Sequence, residues 1–161
     1  SRNPALTPTY IHFPLVSPPL LPPLDPFDRH ARGREATPKE LYDLFRAAYL
    51  SEGADGEVRL DSWSVHEEAP GRHRFVCTLR TAGRTGDHEG TGPGALTAFA
   101  NALTGAGHAT EILAATGSGP YAFAECRVNG TTALWGAAQD SSPLAAAVGA
   151  VLSAVNRAAV R

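Results

Sequence analysis

The chain has 161 residues, a formal net charge of −2 at pH 7 and a hydrophobic content of 43%. These values are typical of one globular domain with an appended segment, and the lack of a basic excess argues against nucleic-acid binding. No run approaches the ~20 apolar residues of a transmembrane helix, so no membrane partner is predicted. No signal peptide is visible, and a start at Ser1 without methionine suggests that a longer chain was trimmed. Cys77 and Cys126 lack metal-ligand spacing, so we predict reduced core residues of a cytoplasmic protein.

Residues 1–35 are predicted to form a proline-rich extended arm and linker. Eight of the 13 prolines fall between Pro4 and Pro26, and proline excludes a helix interior and removes a backbone donor. The apolar residues between these prolines favour an arm that lies along the protein body or along a partner. A disordered arm is the alternative interpretation.

Residues 36–53 are predicted to form a short helical subdomain. Thr37 is a suitable N-cap, Pro38 fits the first helical position and Glu40 completes a capping box. Apolar residues then repeat at helical spacing from Leu41, so the helix is expected to run to about Leu50.

The main domain is predicted over residues 54–161, and it opens with three strands and a helix. Residues 57–65 alternate as in a strand, and Phe75, Cys77 and Leu79 alternate with polar residues in a second strand. The remaining signals are turns at Pro70-Gly71 and Ala82-Gly83, a strand over 84–89, a glycine-rich turn over 90–94 and a helix over 95–106.

The same order of elements then recurs. The pattern predicts strands over 110–115, 121–128 and 131–137, with turns at 117–120 and at Asn129-Gly130, the latter a strong hairpin signal. A last helix is predicted to about Ala159, with Ser142 as its N-cap and Pro143 at its first position. The fold class is therefore α+β, with two βββα units in a pseudo-symmetric, duplicated domain. The final helix is rich in small residues and is expected to pack closely on another helix or a sheet.

Three stretches of the sequence resemble the C-terminal part of 2-isopropylmalate synthase, the actinobacterial type in particular. They are the helical segment 37–50, the glycine-rich segment 90–103, and Trp135-Gly136 together with the tail 150–158. They occur in the order and at the spacing of that family, and the resemblance covers the chain from about Ala36 to Arg161.

The resemblance implies a regulatory domain that dimerises, binds L-leucine near the dimer interface and lowers synthase activity. The family's catalytic part is a large metal-dependent barrel, for which this chain is too short. We therefore expect no catalytic residues, no metal and no cofactor here. If the chain is a fragment, its parent would be an acyltransferase. The expected partners are a second copy of the chain, leucine or a similar acid, and a synthase catalytic domain.

A glycine-rich turn entering a helix offers free amides and the positive end of the helix dipole to a carboxylate. The resemblance extends the ligand-binding candidates to both units: Gly92, Gly94, Ala95, Leu96, Ile112, Ala115, Asp140 and Ser142. Leu96 and Ile112 would form an apolar wall, and Asp140 would attract an ammonium group. Alternatively, the glycines only permit a tight turn and close packing.

The chain departs from the family pattern at two candidate positions and at the neighbouring Pro93. Pro93 replaces an asparagine and so removes an amide that could donate, and Ala95 replaces a proline. Ala115 stands in place of a tyrosine in a shortened segment. The pocket is then more open, fits a different ligand, or no longer binds leucine.

Two further functions remain open from the sequence. A structural dimerisation or docking module would need no ligand, and a small biosynthetic enzyme could reuse the fold. Histidine ligation of a metal is disfavoured because the six histidines are scattered; His66 and His73 are instead expected to face each other across a hairpin as a surface pair. The segment Asp87-His88-Glu89 is either a polar cluster near the site or a solvated strand end.

Overall fold

A computed structural model describes residues 37–46 and 58–159. The elements are α1 (Pro38–Phe45), β1 (Val58–Ala69), β2 (Arg72–Thr81), β3 (Arg84–Gly92), α2 (Ala95–Gly105), β4 (Thr110–Ser118), β5 (Tyr121–Val128), β6 (Leu134–Gln139) and α3 (Pro143–Ala159). The α+β class and the two successive βββα units are confirmed. The predicted arm and the predicted end of the first helix at Leu50 lie outside the described residues. Within the described ranges, no helix is long and apolar enough to cross a membrane.

Helix α1 begins where its capping signals place it. The Glu40 amide donates to Thr37 Oγ1 at 3.1 Å and the Thr37 amide donates to Glu40 Oε1 at 2.9 Å, which forms the predicted capping box. Its buried side chains, Leu41 and Phe45 among them, pack against Phe123 of β5 and Ala137 of β6. The helix is thereby docked on the second sheet.

Each unit contains a three-stranded antiparallel sheet, in the orders β1-β2-β3 and β4-β5-β6. The predicted turns at Pro70-Gly71, Ala82-Gly83 and Asn129-Gly130 are all present. Ala82 and Gly83 have φ of 54° and 81°, and Asn129 and Gly130 have φ of 53° and 73°. Two successive residues with positive φ form the hairpin turn that matches strand twist, which is why these dipeptides close the hairpins.

Several predicted boundaries are wrong, among them the end of β1, which continues past residue 65 to Ala69. Residues 90–92 belong to β3 rather than to a turn, because α2 lies so close that only glycine fits at Gly90. Strand β4 continues through Gly117 and Ser118, which pair with Ala122 and Tyr121, so the turn is confined to 119–120. Strand β6 begins at Leu134 rather than 131, because the amide and hydroxyl of Thr131 both donate to the carbonyl of Val128.

The two helices cover their own sheets and share one core. Helix α2 packs on β2 and β3, and α3 packs on β5 and β6, as expected for a helix of small residues. The core cluster contains residues of both units, among them Phe75, Phe99, Cys126 and Val151. Trp63 stacks on Phe75 at 5.3 Å between ring centroids and extends this core to the edge strand β1.

The strand pairing shows which positions of the two units are equivalent. A Cβ on Gly90 would lie 2.3 Å from the carbonyl oxygen of Ala98, and a Cβ on Gly136 would lie 2.2 Å from that of Ala150. Gly90 and Gly136 therefore occupy equivalent positions beneath their helices. Gly90 lies opposite Phe75 and Gly136 opposite Ala124. Counting along the two central strands, Cys77 is equivalent to Cys126.

Candidate functional site

The start of α2 is an open helix N-terminus. Gly94 is the N-cap, with extended backbone (φ −146°, ψ 170°) and no side-chain cap. Its carbonyl accepts the first helical hydrogen bond, from the Ala98 amide at 3.0 Å. The amides of Ala95 and Leu96 precede this bond, and amides at such positions have no partner within the helix. They and the helix dipole can receive an anionic group.

Gly92 holds this helix start close to the sheet. A Cβ there would lie 3.0 Å from the Ala98 amide nitrogen and 3.0 Å from Thr97 Cβ. The glycine is needed for close packing as well as for the chain to enter the helix. Close packing of the helix on the sheet thus accounts for a glycine at position 92, whereas a Cβ on Gly94 meets nothing within 4 Å.

The predicted apolar wall belongs to the shared core. Leu96 and Ala115 are only 5% and 2% exposed, and half-buried Ile112 packs against the same cluster. All three residues therefore belong to the shared core or border it. Ile112 is the one with substantial surface left for a ligand.

Asp140 and Ser142 form the start of α3. Ser142 Oγ accepts from the Ala145 amide at 3.2 Å, which confirms Ser142 as the N-cap, and Asp140 Oδ1 accepts from the Ser142 amide at 2.9 Å. Both side chains are exposed. None of the hydrogen bonds found among the described residues joins them to the start of α2. The two helix starts therefore differ, since α3 supplies its own cap and α2 does not.

The polar residues that follow the outer face of the first sheet form ion pairs. Arg74 lies between Glu68 and Glu89, with 3.0 Å from Arg74 Nη1 to Glu89 Oε1, and its hydrogen bond to Glu68 lowers the pKa of that carboxyl. Asp87 accepts from Thr78 Oγ1 at 2.9 Å. Gly90 faces α2. Asp87 and Glu89 lie three residues and one residue before Gly90 on the same strand, so their side chains point to the opposite face, away from the helix. They are solvated strand residues rather than part of the site.

The expected pairing of two histidines is wrong. His66 lies opposite Arg74, and His73 lies opposite Glu67 and Gly92. The turn at Pro70-Gly71 pairs Ala69 with Arg72, and the bulge between Glu67 and Ala69 leaves the register one position short of aligning the two histidines. No group of three metal-ligating side chains occurs in the parts of the chain that the structure describes.

Both cysteines are buried and free, as predicted. Burial raises the pKa of the Cys77 thiol and raises that of Cys126 to about 12. A thiol of such high pKa stays protonated near neutral pH and is a poor nucleophile. The cysteines therefore act as small core residues.

The C-terminal end of α3 contacts β1 and α1, two elements that lie much earlier in the chain. The sequence did not predict these contacts. The Val58 amide donates to Asn156 Oδ1 at 2.9 Å, and Asn156 Nδ2 donates to the Val58 carbonyl at 3.0 Å. Arg157 Nη1 donates to the Trp135 carbonyl at 2.6 Å, and its guanidinium lies 5.4 Å from the Phe45 ring centroid. Neighbouring residues thus hold β1 and α1 against the second unit.

The fold and this geometry define a class: a duplicated βββα domain with a docked N-terminal helix and one open helix start. Residues 35–159 match the family model of the LeuA allosteric (dimerisation) domain. The chain belongs to this family, and it is a regulatory and dimerisation domain whose family membership supports self-association into a dimer or larger oligomer.

Several relatives are 2-isopropylmalate synthases. The protein of Thermobifida fusca is 32% identical over 136 residues, which is 80% of this chain and 23% of the relative. That of Mycobacterium leprae is 34% identical over 137 residues, 80% of this chain and 22% of the relative. That of Cupriavidus taiwanensis is 30% identical over 130 residues, 78% and 22% respectively. The chain thus spans less than a quarter of the length of these curated relatives.

Proposed function

We propose that this chain binds a small aliphatic amino acid, leucine or a related acid, at the start of α2. As a homodimer it would regulate the activity of a 2-isopropylmalate synthase catalytic domain. Residues 1–35 would serve as an arm, 36–53 as a helical linker and 54–161 as the regulatory and dimerisation domain. The observation that carries the proposal is the open N-terminus of α2, set against the self-capped N-terminus of α3.

The carboxylate of the effector would accept hydrogen bonds from the Ala95 and Leu96 amides. Its aliphatic side chain would lie against Ile112, the one of the three apolar candidates with surface left for a ligand. Asp140 is the proposed partner for the ammonium group, because its second carboxylate oxygen is not used by the Ser142 amide. Gly92 and Gly94 would let the ligand approach the backbone.

Calorimetry on the whole chain with leucine, isoleucine and valine tests this proposal. We expect one ligand per chain, since only one of the two helix starts is open, and no binding of leucinamide, which lacks the carboxylate. Heat-free titrations and unchanged melting temperatures for all of these acids would refute ligand binding.

Substitution at Gly94 sharpens the test, because a side chain fits there without contact. Asp at this N-cap accepts hydrogen bonds from the first-turn amides and stabilises a helix by a few tenths of a kcal/mol relative to glycine. Gly94→Asp should therefore keep or raise stability while lowering leucine affinity at least tenfold. Gly94→Ala adds a Cβ without a cap and is the matched control. Equal leucine affinity in Gly94→Asp and wild type would place the ligand elsewhere.

The second candidate is a dimerisation or docking module without an effector. The burial of Leu96 and Ala115 favours it, since neither side chain has much surface to offer a ligand. It predicts a dimer by light scattering whose mass and dissociation constant are unchanged by leucine. A ligand-dependent change in dimer affinity would exclude it.

A further inference from the structure

Strand β3 forms an exposed edge of the first sheet. It has nine residues, and among the described residues only β2 pairs with it. The two-residue turn over 82–83 makes Thr81 and Arg84 a hydrogen-bonded pair, so the backbone groups of alternate residues point away from β2, beginning with Thr85. The amides and carbonyls of Thr85, Asp87 and Glu89, here called the β3 edge, therefore face outward. No hydrogen bond found within the described residues uses them.

The corresponding edge of the second sheet is closed by side chains of its own helix. The Ala137 amide donates to Ser153 Oγ at 3.2 Å, and the Trp135 carbonyl accepts from Arg157 Nη1 at 2.6 Å. Both side chains belong to α3 and lie one helical turn apart. Proteins protect edge strands by such means because unpaired edge groups are a template for another strand.

The first unit has only part of this protection. Counting from the close contacts of the two helices with their sheets, Asn101 replaces Ser153 and Gly105 replaces Arg157. Asn101 Nδ2 donates to the Thr91 carbonyl at 2.6 Å. Gly105 has no side chain, and a Cβ there would meet nothing within 4 Å. The strand is therefore closed at Thr91 and open along the β3 edge.

The two faces beside the β3 edge differ in what they can accept. Asp87 and Glu89 are exposed, lie two residues apart and point to the face away from α2. On the other face the α2 backbone rests directly on Gly90. A fourth strand would therefore need basic side chains at alternate positions on one face, with small residues between them on the other.

A second copy of β3 does not have this pattern. When two antiparallel edge strands pair, their outward residues exchange hydrogen bonds and lie directly opposite each other. The registers centred on the strand would place Asp87 opposite Asp87 or Glu89, or Glu89 opposite Glu89. Like charges directly opposite each other are destabilising, so pairing of β3 with itself is disfavoured.

The segment directly before α1 has the required pattern in its sequence. Arg32 and Arg34 lie two residues apart, and the residues that precede and separate them are alanine and glycine. Antiparallel pairing with Arg32 opposite Glu89 would also place Arg34 opposite Asp87. Opposite charges that face each other across a strand pair are stabilising, and the small residues would lie on the side of α2.

We propose that residues 30–34 of one chain add to β3 of a second copy as a fourth, antiparallel strand. The exchange between copies follows from chain length, because Arg34 precedes the α1 N-cap, Thr37, by three residues, which span at most about 11 Å. Helix α1 packs on the second sheet, whereas the extensive contacts of β3 are with β2 and α2. This inference rests on the homodimer of the proposed function and assigns a surface to it.

A charge-reversal cycle on the whole chain tests the pairing by sedimentation equilibrium. Asp87→Arg and Arg34→Asp should each raise the dimer dissociation constant at least tenfold, and their combination should return it to within threefold of wild type. The control is Asp61→Arg, at a carboxylate of β1 that pairs with Arg80; combined with Arg34→Asp it should restore nothing. Pairing of β3 with itself would instead leave the dimer unchanged or tighter in Asp87→Arg.

A disulfide test identifies the chain that supplies the strand. Opposed residues of a hydrogen-bonded antiparallel pair have Cα atoms about 5.5 Å apart, a separation that a disulfide can bridge. Mild oxidation of a mixture of Arg34→Cys and Asp87→Cys chains should give a covalent heterodimer. Arg34→Cys mixed with Asp61→Cys is the control and should not. The native cysteines are buried and should not compete.

The outcomes separate this inference from the proposed function. An internally bridged monomer of a chain that carries both Arg34→Cys and Asp87→Cys would overturn the exchange between copies. If every charge variant dimerises with wild-type affinity, the dimer uses another surface and the inference falls while the proposed function stands. A monomeric wild type would overturn the inference and the homodimer together. Leucine affinity measured in Asp87→Arg should equal that of wild type, because the β3 edge is outside the effector site.

Discussion

Gly136→Ala is expected to be strongly destabilising, because it forces α3 away from its sheet. The added Cβ would lie 2.2 Å from the Ala150 carbonyl oxygen and 2.4 Å from the Ala154 amide nitrogen. Both atoms are helix backbone, so no side-chain rotation can relieve the contact, and the helix must withdraw by roughly 1 Å to restore ordinary van der Waals distances. Such a gap loses a quarter to a half of each affected contact, and Ala150 and Ala154 are both fully buried.

Overpacking of this kind costs about 1–3 kcal/mol, and the rigidity of the helix places the expected loss near 3 kcal/mol. For a chain of this size that corresponds to a fall in Tm of about 6–12 °C. Urea denaturation followed by circular dichroism measures it. Gly90→Ala, with distances of 2.3 Å and 2.4 Å to α2, should lose a similar amount.

The control is Gly105→Ala at the end of α2, where a Cβ meets nothing within 4 Å. Alanine is preferred over glycine in a helix by up to about 1 kcal/mol, so this variant should be neutral or more stable. If Gly136→Ala behaves like Gly105→Ala, the close approach of helix and sheet described here is incorrect.

Two further predictions concern the C-terminal helix contact and the buried thiol. Asn156→Ala leaves the amide and carbonyl of almost fully buried Val58 without the partners that Asn156 supplies, and it should lower the free energy of unfolding by about 2–4 kcal/mol. The control is Asn101→Ala at an exposed position, which should lower it by under about 1 kcal/mol. Equal losses in the two variants would contradict the contact between Asn156 and Val58. Cys126 should resist alkylation at pH 8 until the chain unfolds. Folding raises the Cys126 pKa from 9.0 to about 12, so the folded state binds more protons than the unfolded state in that pH range. Stability should therefore fall as the pH rises above 9. Alkylation of Cys126 at the rate of a free thiol would refute its burial.

Local rules predicted the parts of the fold that depend on neighbouring residues. The capping box of Thr37 and Glu40, the Ser142 cap and the Asn129-Gly130 turn all involve hydrogen bonds or dihedrals within a few residues. The extension of β3 to residues 90–92 depends on a more distant contact instead. Gly90 looks like a turn residue in sequence, and only the position of α2 shows that it is a strand residue on which a helix backbone rests.

The candidate site shows the same division. The open start of α2 follows from the local sequence, since Gly94 has no side chain that could cap the helix. The position of His73 opposite Gly92 could not be foreseen, because it depends on the strand register. One signal was available: His73 continues the alternation of Phe75, Cys77 and Leu79, which places it on the helix-facing side of β2. The importance of Asn156 and Arg157 depends on contacts with residues far away in the chain.

In both units the helix packs closely on its sheet because a glycine lies at the contact, but the glycine is on the strand in one unit and on the helix in the other. In the first unit glycine lies on the strand, at Gly92, and faces Thr97 on the helix. In the second unit the strand has Ala138 and the helix has Gly149, whose Cβ would lie 2.8 Å from that of Ala138. Because one partner of each pair lacks a side chain, both helices lie near their sheets, yet only α3 continues backwards by another turn and caps itself. The duplication has therefore preserved the scaffold in both halves, and of these two helix starts only that of α2 lacks a side-chain cap, which is why we expect one effector per chain rather than two.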